Sequence, residues 1–127
     1  AKIETDLDAS IPAAMLDTEQ LRRVFVNLID NAKNAFAGVE GEKRITITTS
    51  VDSARSRVVA EVADTGHGIR PADFKRLFQP YFSTRGGGTG LGLAIVQRIV
   101  MEHGGRIHAQ TNYPRGARFV IEFPVSA

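Results

Sequence analysis

Apolar residues recur every three or four positions over two long segments of the chain. This spacing predicts an amphipathic helix over residues 18–38, introduced by a capping-box pattern at Asp17 and Gln20. It also predicts a second long helix that begins near Leu93 and ends at residues 103–105. The apolar face of the first helix is predicted to comprise Leu21, Val24, Phe25, Leu28, Ile29, Ala32, Ala35 and Phe36.

Several shorter segments alternate apolar and polar residues, which is typical of half-buried strands. The strands predicted in this way are residues 3–7, 45–51, 58–62, 107–109 and 119–123. The second and third are joined by a polar turn and form a predicted antiparallel hairpin, and a short helical piece is expected near residues 72–77. The element order predicts a two-layer α/β (α+β) sandwich, in which about three helices cover one face of a mixed, mostly antiparallel sheet of about five strands.

The composition narrows the classes of function. The 127 residues fit a single domain, residues 1–127, and we expect a fragment of a longer protein because the chain opens without Met in a strand-like pattern. The formal net charge is +2 with scattered basic residues, so nucleic-acid binding of low specificity is only a secondary alternative. The chain contains no cysteine, so any bound metal must use oxygen or imidazole ligands. No apolar run is long enough to cross a bilayer.

Three asparagines lie in phase along the first predicted helix. At 100° per residue, Asn27, Asn31 and Asn34 form a stripe beside the apolar face, at the edge of the core. A single Asn at such a border commonly bonds to neighbouring backbone. Several amide oxygens in phase also suit Mg²⁺, which prefers hard oxygen ligands, so both interpretations stay open at this point.

Asp64 ends a predicted strand in phase with its buried residues, so the period of two points its carboxylate into the core. A buried carboxylate needs a hydrogen-bond donor. Gly66 and Gly68 follow, and glycines allow a tight turn or the close approach of a flat ligand. The exocyclic amine of adenine would satisfy Asp64, with Ile69 against the ring, whereas a strand-ending Asp-Thr-Gly turn without a ligand is the alternative.

A glycine-rich segment, residues 86–92, leads directly into the second predicted helix. Bare backbone N–H groups and the positive end of the helix dipole favour the binding of phosphate at this position. The alternative is a flexible hinge, which explains the glycines but not the helix that follows them. The pattern fits neither a Walker A loop nor a Rossmann motif. The phosphate-site candidates, including a hydroxyl and a guanidinium that precede the glycines, are Thr84, Arg85, Gly88, Thr89, Gly90, Leu91, Gly92 and Leu93.

The remaining polar and aromatic residues indicate no second chemistry. His67, His103 and His108 lack metal-ligand spacing, so structural or surface positions are predicted for them. Ser83 has no evident His or Asp partner, which argues against nucleophilic catalysis. The aromatic residues in segment 77–82 are interpreted either as anchors in the core or as a docking patch.

Taken together, these segments resemble the nucleotide-binding (Bergerat-fold) domain of sensor histidine kinases, in the gyrase, HSP90, histidine kinase and MutL superfamily. Four motifs occur in the family's order and span most of the chain. They are the N box at residues 27–32, the G1 box at 64–68, the F box at 77–82 and the G2 box at 88–93. Residues 80–84 are most similar to sensors of the nitrogen-regulation and dicarboxylate type.

The resemblance implies the catalytic domain of a protein-histidine kinase in two-component signal transduction, with ATP and Mg²⁺ as cofactors. Such a domain donates the γ-phosphate to a histidine on a dimerisation domain that is absent here, and a response regulator acts downstream. The fragment is therefore expected not to autophosphorylate alone. We expect a cytoplasmic location, a parent protein that can be anchored in the inner membrane, no nucleic-acid partner, and no direct membrane contact by this fragment.

The resemblance also implies residue roles. Asn31 ligates Mg²⁺, Asn27 supports the phosphates as the second catalytic residue, Asp64 binds the adenine amine, and residues 70–90 form a lid over ATP. The superfamily's ATPases carry at position 27 a Glu that activates water, and an amide cannot accept that proton. Asn27 therefore favours phosphotransfer, with positioning and Mg²⁺ as the main contributions to catalysis.

The chain also departs from the family pattern. Many histidine kinases carry a basic and then an aromatic residue where Asn34 and Ala35 stand, and Ala117 replaces a frequent Thr. Phosphate contact and adenine stacking are therefore expected to be weaker or supplied differently. An anti-sigma-type serine kinase of the same fold is an alternative, although its relatives usually keep the Glu at position 27 and lack the F box. A non-catalytic docking module is a third interpretation.

Overall fold

Five strands and two α-helices form the described part of the protein, which in this computed structural model comprises residues 2–6, 18–52, 54, 56–82 and 91–124. The elements are β1 Lys2–Asp6, α1 Thr18–Asn34, β2 Arg44–Asp52, β3 Arg57–Asp64, a 3-10 helix Pro71–Asp73, α2 Gly92–Glu102, β4 Arg106–Thr111 and β5 Ala117–Pro124. No helix among these residues has the length and apolarity that a membrane crossing requires.

The strands form one sheet in the order β1-β2-β3-β5-β4. The β1–β2 pair is parallel and the other three pairs are antiparallel, including the predicted hairpin of β2 and β3. Helix α1 packs against α2 and β3, and α2 packs against β4. The predicted mixed, mostly antiparallel sheet with helices on one face is therefore confirmed, with the short 3-10 helix as the third helical element.

The core lies between the helices and one face of the sheet. The predicted apolar stripe of α1 is confirmed, because Val24 and Leu28 are fully buried and their neighbours on the stripe pack against the same cluster. The sheet contributes alternate residues because successive side chains of a strand point to opposite faces. The buried members of this cluster from the sheet and α2 are Ile45, Val62, Ala117, Phe119, Ile121, Phe123, Val96, Ile99 and Val100.

Two predicted helical segments are shorter than the periodicity indicates. Helix α1 ends at Asn34 instead of near Gly38, because the following backbone tightens into three-residue turns that are closed by Phe36 and Ala37 N–H bonds of 3.2 Å. The helical piece expected near residues 72–77 is limited to the 3-10 helix Pro71–Asp73, followed by turns. In both places local hydrogen bonds of the i→i+3 type replace the α-helical ladder.

Candidate functional site

Asp64, the last residue of β3, carries a buried carboxylate in which one oxygen accepts hydrogen bonds from the backbone and the other can accept one from a ligand. Its side chain is on the core face, as predicted, and the residue is 1% exposed. Oδ1 accepts hydrogen bonds from the backbone N–H groups of Gly66 at 2.9 Å and Ala117 at 3.2 Å. No hydrogen bond from the described part of the chain reaches Oδ2, so this oxygen can accept a bond from a ligand.

Burial raises the pKa of Asp64 above its usual value, because desolvation disfavours the charged form. The N–H groups of Gly66 and Ala117 and the charge of His67 act in the opposite direction. A further donor at Oδ2 would also favour the charged carboxylate. The position is therefore suited to a ligand that donates a hydrogen bond, such as an exocyclic amine.

The loop after Asp64 packs directly on the C-terminal end of α1. The His67 N–H donates to the carbonyl oxygen of Ala35 at 2.9 Å. A Cβ on Gly66 would lie 2.6 Å from the Ala35 Cβ, so this close approach requires a glycine at position 66. Gly68 and Ile69 continue the loop, and Ile69 is half-buried against the core cluster. Ala35 is thus a buried residue whose carbonyl joins the end of α1 to this loop.

The other end of the amide stripe faces the start of α2. The Oδ1 atom of Asn27 lies 3.5 Å from the position that a Cβ on Gly92, the first residue of α2, would occupy. Asn31 follows one helical turn later and is half-buried, whereas Asn34 is exposed. From Asn27 to Ala35 the helix rises about 12 Å. The stripe therefore connects the beginning of α2 with the Asp64 loop.

Only part of the predicted phosphate loop is described. Thr84, Arg85, Gly88, Thr89 and Gly90 lie outside the described residues. The described part begins at Leu91, whose carbonyl accepts the Ile95 N–H at 2.9 Å, and Gly92 and Leu93 form the first turn of α2. A leucine at the cap has no side-chain acceptor for the N–H groups of that turn. The positive end of the helix dipole at this turn is a feature that can attract an anion.

Residues 70–82, the described part of the predicted lid, are anchored to the core. Leu77 is buried, and the ring of Phe78 meets that of Phe119 edge-on with centroids 6.4 Å apart. Tyr81 is 78% exposed. Phe78 is therefore an anchor in the core, which is the first of the two interpretations of this aromatic segment.

The histidines occupy positions in which their rings support neighbouring backbone or face solvent. The Nδ1 atom of His67 lies 2.6 Å from the Gly68 carbonyl oxygen, and that of His103 lies 2.8 Å from the Ile99 carbonyl oxygen at the end of α2. His108 is exposed. Within the described ranges, no group of three or more His, Asp or Glu side chains could hold a metal ion.

The turn between β4 and β5 contacts Asp64, and the sequence does not indicate this contact. The Asn112 Nδ2 atom donates to the Asp64 carbonyl oxygen at 2.8 Å, and the Arg115 Nε atom donates to the Thr65 carbonyl oxygen at 2.9 Å. Residues 112–116 contain Asn, Pro and Gly, which indicate a turn. That signal is local, so it does not reveal a contact with a strand that ends 48 residues earlier.

Comparison with known proteins gives consistent matches over most of the chain. The family described as histidine kinase-, DNA gyrase B-, and HSP90-like ATPase matches residues 16–127. The sensor histidine kinase ZraS of Salmonella typhi is 43% identical over 112 residues, which cover 87% of this chain and 23% of ZraS. The sensory histidine kinase/phosphatase NtrB of Vibrio alginolyticus is 35% identical over 97% of this chain and 37% of its own length.

Among solved structures, that of full-length ShkA in complex with AMPPNP superposes with a TM-score of 0.84 at 30% identity, covering 99% of this chain and 26% of ShkA. The match to NtrB confirms the similarity to nitrogen-regulation sensors that residues 80–84 indicate. The chain thus spans about a quarter of the length of ZraS and ShkA.

Proposed function

Because this chain belongs to the family of histidine kinase-, DNA gyrase B-, and HSP90-like ATPases, we propose that it binds ATP with Mg²⁺ and donates the γ-phosphate to a histidine of a separate domain. The observation that supports this proposal is the placement of two sites along one stripe of α1. The buried Asp64 acceptor lies at one end, and Asn27 with the start of α2 lies at the other. This arrangement suits an elongated ligand with a base at one end and phosphates at the other.

At the first end, Asp64 recognises the adenine base. Its Oδ1 atom is held by two backbone N–H groups, which orients Oδ2 toward the exocyclic amine. The Gly66 to Ala35 contact keeps this loop close to α1, and Gly68 and Ile69 complete its path beside the base. Ala117 contributes a backbone N–H here and no side-chain hydroxyl.

At the second end, the amide of Asn27 and the first turn of α2 support the phosphates, and Asn31 provides an oxygen for Mg²⁺. When bound, Mg²⁺ supplies neutralisation of the charge on the transferring phosphoryl group. The amide of Asn27 cannot accept a proton from water, so it favours transfer over hydrolysis. We also propose that Thr84, Arg85 and the glycines up to Gly90, which lie outside the described residues, contribute phosphate contacts, and that residues 70–90 form a lid over ATP.

The acceptor histidine belongs to a dimerisation domain elsewhere in the parent protein, and a response regulator receives the phosphate afterwards. The relatives support this assignment, since they are sensor histidine kinases of which this chain spans a minor part. We place the domain in the cytoplasm, with a parent protein that can be anchored in the inner membrane. This fragment is proposed to contact neither nucleic acid nor the membrane directly.

The proposed function is tested by phosphotransfer in trans. The protein, Mg²⁺ and γ-labelled ATP are mixed with the histidine-bearing helical hairpin of the parent kinase, and label is expected on the histidine. A hairpin with the histidine replaced by Gln serves as the control and is expected to stay unlabelled. Label on a serine of a partner protein, with none on histidine, would indicate the serine-kinase alternative, and ADP binding without any transfer would indicate a docking module.

The proposed Mg²⁺ ligand gives a second prediction. In an Asn31→Ala variant, Mg²⁺ is expected to lose its strengthening effect on ADP binding, because a metal ligand is removed. The loss is expected to be about tenfold in affinity, or about 1.4 kcal/mol. Calorimetry of ADP binding with Mg²⁺ and with a chelator measures this difference.

The matched control is Asn34→Ala, which removes an exposed amide from the same helix and is expected to leave the Mg²⁺ effect unchanged. An Asn31→Ala variant with the full Mg²⁺ dependence of the wild type would show that the metal ligand lies elsewhere.

A further inference from the structure

We propose that Asn112 and Arg115, in the turn between β4 and β5, are positioning residues that hold Asp64 in place and thereby set the preference for adenine over other bases. This inference rests on the proposed function, since it concerns the same nucleotide site. Neither side chain is proposed to touch the nucleotide. Both act through the backbone that carries the Asp64 carboxylate.

The backbone around Asp64 leaves the regular ladder between β3 and β5. The last residue pair of that ladder is Ala63 with Arg118. Beyond it, the Asp64 and Thr65 carbonyl oxygens accept side-chain hydrogen bonds from Asn112 at 2.8 Å and Arg115 at 2.9 Å. A backbone carbonyl that loses its partner is costly unless water replaces it, so these two bonds select one position for the strand end.

The same turn also holds the carboxylate itself. The Ala117 N–H, at the end of the turn, donates to Asp64 Oδ1 at 3.2 Å. Asn112 is in turn oriented by the Arg118 Nη2 atom, which lies 3.4 Å from its Oδ1 atom, and the turn is closed by the Asn112 N–H bond to the Gly116 carbonyl at 3.0 Å. Asp64 is therefore attached to one turn through both its main chain and its side chain, and a displaced turn would move Oδ2.

The turn lies on the sheet face away from the helices. Asn112, Arg115 and Thr65 line a cavity of about 770 Å³ there, together with other polar residues of the sheet. The neighbouring Tyr113 is 84% exposed. Since Asn112 and Arg115 do not belong to the apolar core, removing either side chain is expected to leave the packing between sheet and helices intact. Their effect on nucleotide binding can therefore be separated from folding.

Adenine and hypoxanthine differ at the atom that Asp64 would contact. Adenine presents an amine, which donates to a carboxylate, whereas hypoxanthine presents a carbonyl oxygen, which cannot. A site built to bond one group rejects the other because buried polar atoms are left unpaired. That rejection depends on a carboxylate held in a single position, and it weakens if the carboxylate can move away.

The experiment compares ADP and IDP binding by calorimetry, with IDP measured by competition, in the wild type and in Asn112→Ala and Arg115→Ala variants. We expect ADP affinity to fall about fivefold to tenfold in Asn112→Ala and IDP affinity to change little, so the ADP-to-IDP preference falls by the same factor. The Arg115→Ala variant, which alters an exposed residue, is expected to show the same trend and tests the inference if Asn112→Ala does not fold. Tyr113→Ala, in the same turn, is the control and keeps the wild-type preference.

The outcomes separate this inference from the proposed function. If the wild type binds no ADP, the proposed function fails and the inference fails with it. If the wild type binds ADP while folded Asn112→Ala and Arg115→Ala variants keep its ADP-to-IDP preference, only the inference is overturned. A loss of thermal stability with an unchanged preference would assign the turn a purely structural role.

Discussion

An Asp64→Asn variant is expected to bind ADP on the order of 100-fold more weakly than the wild type and to remain folded. Asn has the size of Asp, and its side-chain oxygen can still accept the N–H bonds of Gly66 and Ala117. Its NH2 group then takes the place of Oδ2 and faces the adenine amine, so two donors oppose each other. Calorimetry with ADP measures the loss, and circular dichroism checks the fold.

The pH dependence of ADP binding provides a second measurement on the same variant. Because burial raises the pKa of Asp64, ADP affinity of the wild type is expected to fall as the pH decreases through that raised value, where the carboxylate takes up a proton. The Asn variant has no proton to gain at this position, so its affinity is expected to be flatter over the same range.

In the unliganded protein, the contribution of Asp64 to the free energy of unfolding changes with pH in the direction opposite to that of ADP affinity. A carboxyl group whose pKa is raised in the folded state contributes stability that is present below the unfolded-state pKa and is lost as the pH rises through the folded-state pKa. Glu102→Gln, at the exposed end of α2, is the control for loss of a carboxylate and is expected to keep ADP affinity. Wild-type ADP affinity in Asp64→Asn would refute the adenine-binding role.

A Gly116→Ala substitution is expected to lower the free energy of unfolding by about 3–5 kcal/mol. Gly116 has a φ of +113°, which side chains rarely adopt. A Cβ there would point directly at the Asp64 carbonyl oxygen and lie 2.7 Å from its carbonyl carbon and 2.9 Å from Oδ1. Because the atoms in its way are mostly backbone, the turn must move, and ADP binding is expected to be lost as well. Urea unfolding followed by circular dichroism measures the change.

The matched control is Gly41→Ala. Gly41 has a similar φ of +94°, but a Cβ at that position meets no atom within 4 Å. Its cost is therefore expected to be backbone strain alone, about 1–2 kcal/mol. The difference between the two variants isolates the close approach of the turn to Asp64. Equal destabilisation of both would mean that Gly116 is needed for its backbone conformation only.

The periodicity of the sequence was a good guide to the elements and a poor guide to their ends. The stripe of α1 and the hairpin of β2 and β3 agree with prediction, because hydrophobic spacing reflects which face is buried. The periodicity predicts the end of α1 four residues too late, at residue 38 instead of Asn34. Its apolar pattern continues through Ala35 and Phe36, which are buried, but their backbone forms tight turns, and the Ala35 carbonyl accepts the His67 N–H.

The burial of Asp64 and the amide stripe of Asn27 and Asn31 could be predicted from the sequence, since both follow from the period of a single element. The role of the β4–β5 turn could not. Its residues Asn112 and Arg115 have the composition of an ordinary surface turn, and their partners Asp64 and Thr65 lie far away along the chain.

The sequence by itself thus determined the layers, the four family motifs and the direction of the Asp64 carboxylate, since each of these is set by spacing within a short segment. Only the tertiary structure decided that Asn27 faces Gly92, that Ala35 receives the Asp64 loop and that Asn112 holds the strand end. These contacts join segments far apart in the chain. They form only where packing brings two elements together, which local periodicity does not encode.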